Sequence, residues 1–199
     1  MIGRTSARLG VVMVILGALA GTAVAHITPP VVLASDREAV IALTEGARRF
    51  FVRDVRLTDA DRQALRTEWG WTPEDEAYRF YVGRDEHGRL ISSVVFLTEV
   101  TVHGPVRVAV GVAPGSKVKG AVIVEVTEET YGWVKPLIDE NLSREYSGLD
   151  VTAKFGVSER LTKASLHPMS HFYGEVVASL IKRGLVLYEQ TVRRRGAES

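Results

Sequence analysis

The stretch that most limits what this chain can become is its last long apolar run, residues 172–188. Phe172, Tyr173, Val176, Val177, Leu180, Ile181 and Leu185 fall on one stripe of a 3.6-residue period, with Glu175, Ser179, Lys182 and Arg183 on the other face. A helix of that kind must lay its stripe on a core. His167-Pro168-Met169-Ser170-His171 leads into it. Proline suits a first helical turn, where no backbone N–H is needed. The turn then combines unbonded N–H groups, the positive end of a helix dipole, the Ser170 hydroxyl and two imidazoles. That combination suits an anion, phosphate in particular.

A stripe needs something to cover, and the middle of the chain supplies it. Residues 78–82, 90–99, 106–112 and 118–126 are rich in Val, Ile, Tyr and Phe, and turn residues separate them, among them Asp85, Gly88, Gly104-Pro105 and Pro114-Gly115. Val106, Val108 and Val110 alternate with Arg107, Ala109 and Gly111, as in a sheet with one covered face. These runs read as an antiparallel meander, which makes the fold class α+β: a mainly antiparallel sheet covered by helices. His87 and His103 fall in turns, where exposure is the default expectation.

Two helices precede the sheet. Ser35 caps the first, which carries Ala39, Val40, Leu43, Ala47 and Phe50 inward; Thr58 and Asp61 form the cap of the second, which ends near Trp69-Gly70-Trp71. Both tryptophans read as packing at the domain edge. After the sheet, Pro136 sits in the first turn of a helix over residues 135–141, residues 151–160 read as an extended segment, and Arg193-Arg194-Arg195 reads as a solvated tail.

The first 33 residues stand apart. Arg4 and Arg8 precede an uncharged run over residues 9–25, which favours a cytoplasmic N-terminus and export of the remaining chain. The run either remains as a membrane anchor or is cleaved after Ala23-Val24-Ala25, which has the small-x-small form of a signal-peptidase site. The remainder of the 199 residues, with 46% apolar and 25% charged residues over the whole chain, is enough for one domain with its own core. A formal net charge of +1 gives no reason to expect nucleic acid. The absence of cysteine excludes disulfides, thiolate metal sites and Cys-ligated iron–sulfur clusters. The chain has no Gly-x-Ser-x-Gly elbow, no His-Glu-x-x-His and no phosphate loop, so no hydrolase can be argued. Asp59, Asp61, Glu74, Asp75 and Glu76 read as a solvated acidic face.

The order of these parts resembles the extracytoplasmic FMN-binding domain of the G subunit of the Rnf complex and the C subunit of the sodium-pumping NADH:quinone reductase. The similar pieces are an N-terminal segment followed by Thr28-Pro29-Pro30, a strand from Gly104-Pro105-Val106 to Gly111-Val112, and the strand Gly120-Ala121-Val122-Ile123. They continue with Glu129-Thr130-Tyr131-Gly132-Trp133, at the place of a Glu-Thr-Pro-Gly-Leu segment, and the helix end Lys182-Arg183-Gly184-Leu185. The resemblance implies an FMN-binding-like domain over residues 77–190, after a helical region over 34–76 and before a basic tail over 191–199. It also implies a retained anchor, a place on the outer side of a cytoplasmic membrane, and other membrane electron-transfer subunits as partners.

One departure bears on the chemistry. Family members carry Ser/Thr-Gly-Ala-Thr before the last helix, and its final Thr holds FMN through a phosphoester. That tetrapeptide falls on Pro168-Met169-Ser170-His171, and His171 has no hydroxyl to esterify. Three expectations result. FMN binds without a covalent bond, its phosphate at Ser170 and His171 and its ring against Glu129, Thr130, Tyr131, Gly132 and Trp133. Alternatively, His171 ligates haem or a metal with His167 or Met169. In the third, the cofactor is lost and the domain is an accessory subunit.

Overall fold

The computed structural model describes residues 28–164 and 167–196; the anchor-or-signal run lies outside them. No helix among the described residues is long and apolar enough to cross a membrane.

One sheet organises the fold. Strands β1 (Pro30–Val32), β2 (Arg49–Arg56), β3 (Ala77–Arg84), β4 (Leu90–Thr101), β5 (Gly104–Ala113) and β6 (Lys117–Thr127) are antiparallel and lie in the order β1-β6-β5-β4-β3-β2. The four strands legible from alternation are β3 to β6, and they pair as a meander because each turn between them is short. The α+β class and the antiparallel sheet are as expected.

Helix α1 (Asp36–Leu43) crosses one face of the sheet; α2 (Asp59–Trp69), α3 (Glu128–Asp139), a short α4 (Glu159–Ala164) and α5 (Pro168–Tyr188) complete the helices. α5 packs on the other sheet face: Tyr173, Val177, Leu180, Ile181 and Leu185 join Val95, Leu97, Val106, Val108 and Val110 in the main core. Gly184 lets this contact close, since a Cβ there would lie 2.8 Å from the Val110 Cβ. The expected stripe holds from Tyr173 to Ile181, but Phe172 at its start is 45% exposed; beyond Arg183 the helix is buried on every side, Val186, Leu187 and Tyr188 included.

Three expectations need correction. The first helix stops at Leu43, with Gly46 at φ +92° breaking the run, and Phe50 lies 55% exposed in β2 instead of facing a core. Residues 34–76 hold two helices but also β2, which pairs with β3 along its whole length and so joins this region to the sheet. The C-terminal arginines are exposed as expected, but they are ordered by ion pairs and do not form a free tail. α5 runs into a π-helical turn (Glu189–Arg193), where the buried Glu189 carboxylate accepts from Arg193 and Arg194 and, at 2.5 Å, from the Ser116 hydroxyl. Arg195 is hydrogen-bonded to Asp61, which is buried at 4% exposure and so leaves the supposed solvated acidic face.

Candidate functional site

The end of the sheet where β4 turns into β5 gathers most of the polar and aromatic chemistry of the expected site. Gly104, at φ +103°, makes the turn, and it touches the start of α3 so closely that a Cβ would collide with Thr127 Cγ2. Thr127 caps α3. Its hydroxyl accepts from the Thr130 N–H at 3.3 Å and donates to the His103 carbonyl at 2.8 Å, tying the turn to the helix. Glu129, on the exposed side of that first turn, then meets His103: Nδ1 lies 2.7 Å from Oε1. A carboxylate accepts, so His103 donates this bond through Nδ1–H.

Trp133 stands one turn further along α3 and is the centre of the cluster. The His103 ring meets it edge-on with centroids 5.0 Å apart, while His167 and Tyr173 lie nearly parallel to it, at 6.0 Å and 19° and at 5.8 Å and 16°. Tyr173 comes from the first turns of α5 and is fully buried. Thr101 donates to the Gly104 carbonyl at 2.8 Å, so the 3.1 Å contact between the two hydroxyls is a bond donated by Tyr173. Burial pushes the Tyr173 phenol up from its usual value, the Thr101 bond opposes this, and the nearby Glu129 charge adds to the rise. The phenol therefore stays protonated at neutral pH.

The expected site residues divide. Glu129 belongs to this corner. Thr130 is fully buried, and its hydroxyl accepts the Thr127 N–H at 3.0 Å in the cap, so it has no face to offer a ligand. Tyr131 points away from Trp133, as residues two apart on a helix do, and lines a cavity of about 330 Å³ with Leu33, Ile123 and Leu137. Gly132 is exposed, with nothing within 4 Å of where a Cβ would sit. Ser170 is buried at 1% exposure.

The start of α5 is less open to an anion than the sequence implies. His167 caps the helix, its Nδ1 accepting from the Met169 N–H at 3.1 Å, and the Ser170 N–H is bonded to the His167 carbonyl at 2.9 Å. His171 is exposed, and its ring nitrogens lie 3.4 Å from the Thr162 hydroxyl and 3.9 Å from Glu175. The two histidines are thus turned to different partners. Among the described residues no group of three His, Asp or Glu side chains is placed to hold a metal ion.

Sequence reasoning did not place His103 at the site, because a turn histidine carries no local signal of long-range contact. The hint was Thr127-x-x-Thr130, a cap motif immediately ahead of Trp133. The fold and corner together define an α+β domain in which α3 and the last long helix bring together an imidazole–indole–phenol stack at one end of an antiparallel sheet. No protein-family model matches the chain, and no curated protein matches it.

Proposed function

We propose that the chain is an FMN-binding-domain-like component of a membrane-associated electron-transfer complex. In this reading it is held on the extracytoplasmic side of a cytoplasmic membrane by residues 9–25, and it binds FMN without a covalent bond. The observation that carries the reading is the Trp133 indole, set parallel to the exposed His167 ring at the head of α5, where the family resemblance puts the flavin. His167 is held by one bond to its own helix. Rotation of that single side chain frees indole surface for a larger planar ring. His167 and His171 are the exposed donors at the mouth for a phosphate, whereas buried Ser170 is not. A bound flavin would supply the one- or two-electron chemistry; Trp133 orients it, and Glu129 and the Tyr173 hydroxyl set the local polarity.

A second reading, a cofactor-free accessory subunit, has its own specific support: the Thr130 hydroxyl and the first N–H groups of α5 are already satisfied within the protein. The visible spectrum of native full-length protein extracted in detergent, followed by acid precipitation, separates the two. Flavin bands that pass into the supernatant are expected, and Trp133→Ala should abolish them while leaving the far-ultraviolet circular dichroism intact. Colourless protein from cells whose other flavoproteins are loaded would refute flavin binding and leave the accessory role. A Soret band would instead favour haem ligation through His171, and flavin in the pellet would require another attachment residue.

A further inference from the structure

The hairpin that carries His103 is unusual in what its tip exposes. β3 pairs with β4 only as far as Val95, whereas β4 continues with β5 to the Thr101–Gly104 pair, so the β4–β5 hairpin projects beyond its partner on the β3 side. On this projection Val100 is 74% and Val102 93% exposed, and Phe172 from the second turn of α5 adds a half-exposed ring beside them. The three side chains line one shallow apolar hollow of about 450 Å³. A polar protein surface has no evident use for such a cluster.

The chain enters the domain at this same end. The Pro29 carbonyl accepts the Glu128 N–H at 3.0 Å, the adjoining Thr127 hydroxyl reaches the His103 carbonyl at 2.8 Å, and Val102 precedes His103. The uncharged run ends at Ala25, and the four residues from there to Pro29 span at most about 14 Å when fully extended. Any bilayer that holds the run therefore lies within reach of the hairpin tip.

We infer that Val100, Val102 and Phe172 dock into the interfacial layer of the bilayer that holds the N-terminal run, so that the domain stands on its β4–β5 hairpin with the Trp133 corner turned to the lipid. The inference rests on the reading of residues 9–25 as a retained anchor. Contact is made by apolar insertion and not by attraction to anionic headgroups, because the basic group beside the hollow, Arg183, is paired with Glu99, and the other charges named there are carboxylates, Glu129 hydrogen-bonded to His103 and Glu175 to the Val157 N–H. The far end of the sheet provides an internal control. Phe51 is 51% exposed there, in the part of β2 that pairs with the end of β3 remote from the hairpin.

The absence of cysteine makes the test clean, since Val102→Cys and Phe51→Cys each create a single labelling site. Full-length protein carrying an environment-sensitive fluorophore at either position is reconstituted into phosphatidylcholine vesicles, with and without a shallow nitroxide lipid. The label at position 102 should be quenched several-fold more than the label at 51. Equal quenching in protein that floats with the vesicles would overturn the docking while leaving the anchor standing. Protein that fails to float would overturn the anchor, and the docking with it.

Discussion

Gly132 and Gly184 both lie inside helices of this protein, and the same substitution should have opposite effects at them. At Gly184 a Cβ would lie 2.8 Å from Val110 Cβ and 3.0 Å from both of its γ carbons. Ordinary carbon–carbon contact is about 3.5–4.0 Å, so roughly 1 Å of separation has to be found. Val110 cannot give way by rotating, because the nearest atom is its Cβ and the strand fixes it. Overpacking of this kind costs about 1–3 kcal/mol, and the better helix propensity of alanine offsets about 1 kcal/mol of it. Gly184→Ala should therefore destabilise by roughly 0–2 kcal/mol, with the centre near 1. At Gly132 nothing lies within 4 Å of the new methyl, so the propensity gain stands alone and Gly132→Ala should stabilise by about 0.5–1 kcal/mol. Urea unfolding of the full-length protein, followed by tryptophan fluorescence, should move the midpoint down for the Gly184 variant and up for the Gly132 variant at unchanged slope. A thermal scan should separate the two by several degrees, at about 2–4 °C per kcal/mol for a chain of this size. Equal shifts, or a gain at Gly184, would refute the claim that α5 is seated on β5 through a missing side chain.

The caps and the C-terminal ion pairs lead to two further outcomes. Thr127→Ala removes the cap of α3 and the tie to the His103 carbonyl, and should cost about 1–2 kcal/mol in the same urea assay; it should also release His103 from its edge-on contact with Trp133, read as a change in the ring's NMR shifts. The Arg193 bond holds the Glu189 carboxyl below its ordinary value of 4.5, with the Ser116 and Arg194 bonds acting in the same direction against the opposing effect of burial. A depressed folded-state pKa gives stability that is complete above the unfolded pKa and is lost as pH falls through the folded one. Stability should therefore decline below about pH 4.5, and Glu189→Gln should flatten that decline; an unchanged slope would place the acid sensitivity elsewhere.

Much of the architecture is legible because it is written at short range. Strands β3 to β6 announce themselves by alternation and by glycine at their turns, and the Ser35 cap and the Thr58–Asp61 capping box form as their residues suggest. β2 is hidden for a physical reason: Ala39, Val40, Leu43, Ala47 and Phe50 continue a helical spacing across Gly46, so the apolar pattern alone runs on where the backbone cannot. β1 is masked differently, by two prolines in a stretch that reads as an extension of the N-terminal run. The site is half legible. The family resemblance marks Glu129 and Trp133, but His103 arrives through Gly104 and Thr127, a contact between residues 24 apart in sequence that no local pattern encodes. The burial of Asp61 is equally invisible, since it depends on Arg195, 134 residues away, and that of Glu189 is half so: Arg193 stands four residues on, but the Ser116 hydroxyl is 73 residues away.

The outer edge of the sheet bears on how the protein behaves at high concentration. Among the described residues no strand pairs with β2 on its outer side, and Phe50 and Phe51, on opposite faces, are both about half exposed. Such an edge is a template for adding another strand, the first step of aggregation. The sequence Arg49-Phe50-Phe51-Val52-Arg53 frustrates the obvious match. Two copies aligned antiparallel with Phe51 against Phe51 would place Phe50 against Val52, and would also set Arg49 against Arg53, like charges facing across the new ladder. The register that best buries the aromatics is the one the arginines forbid.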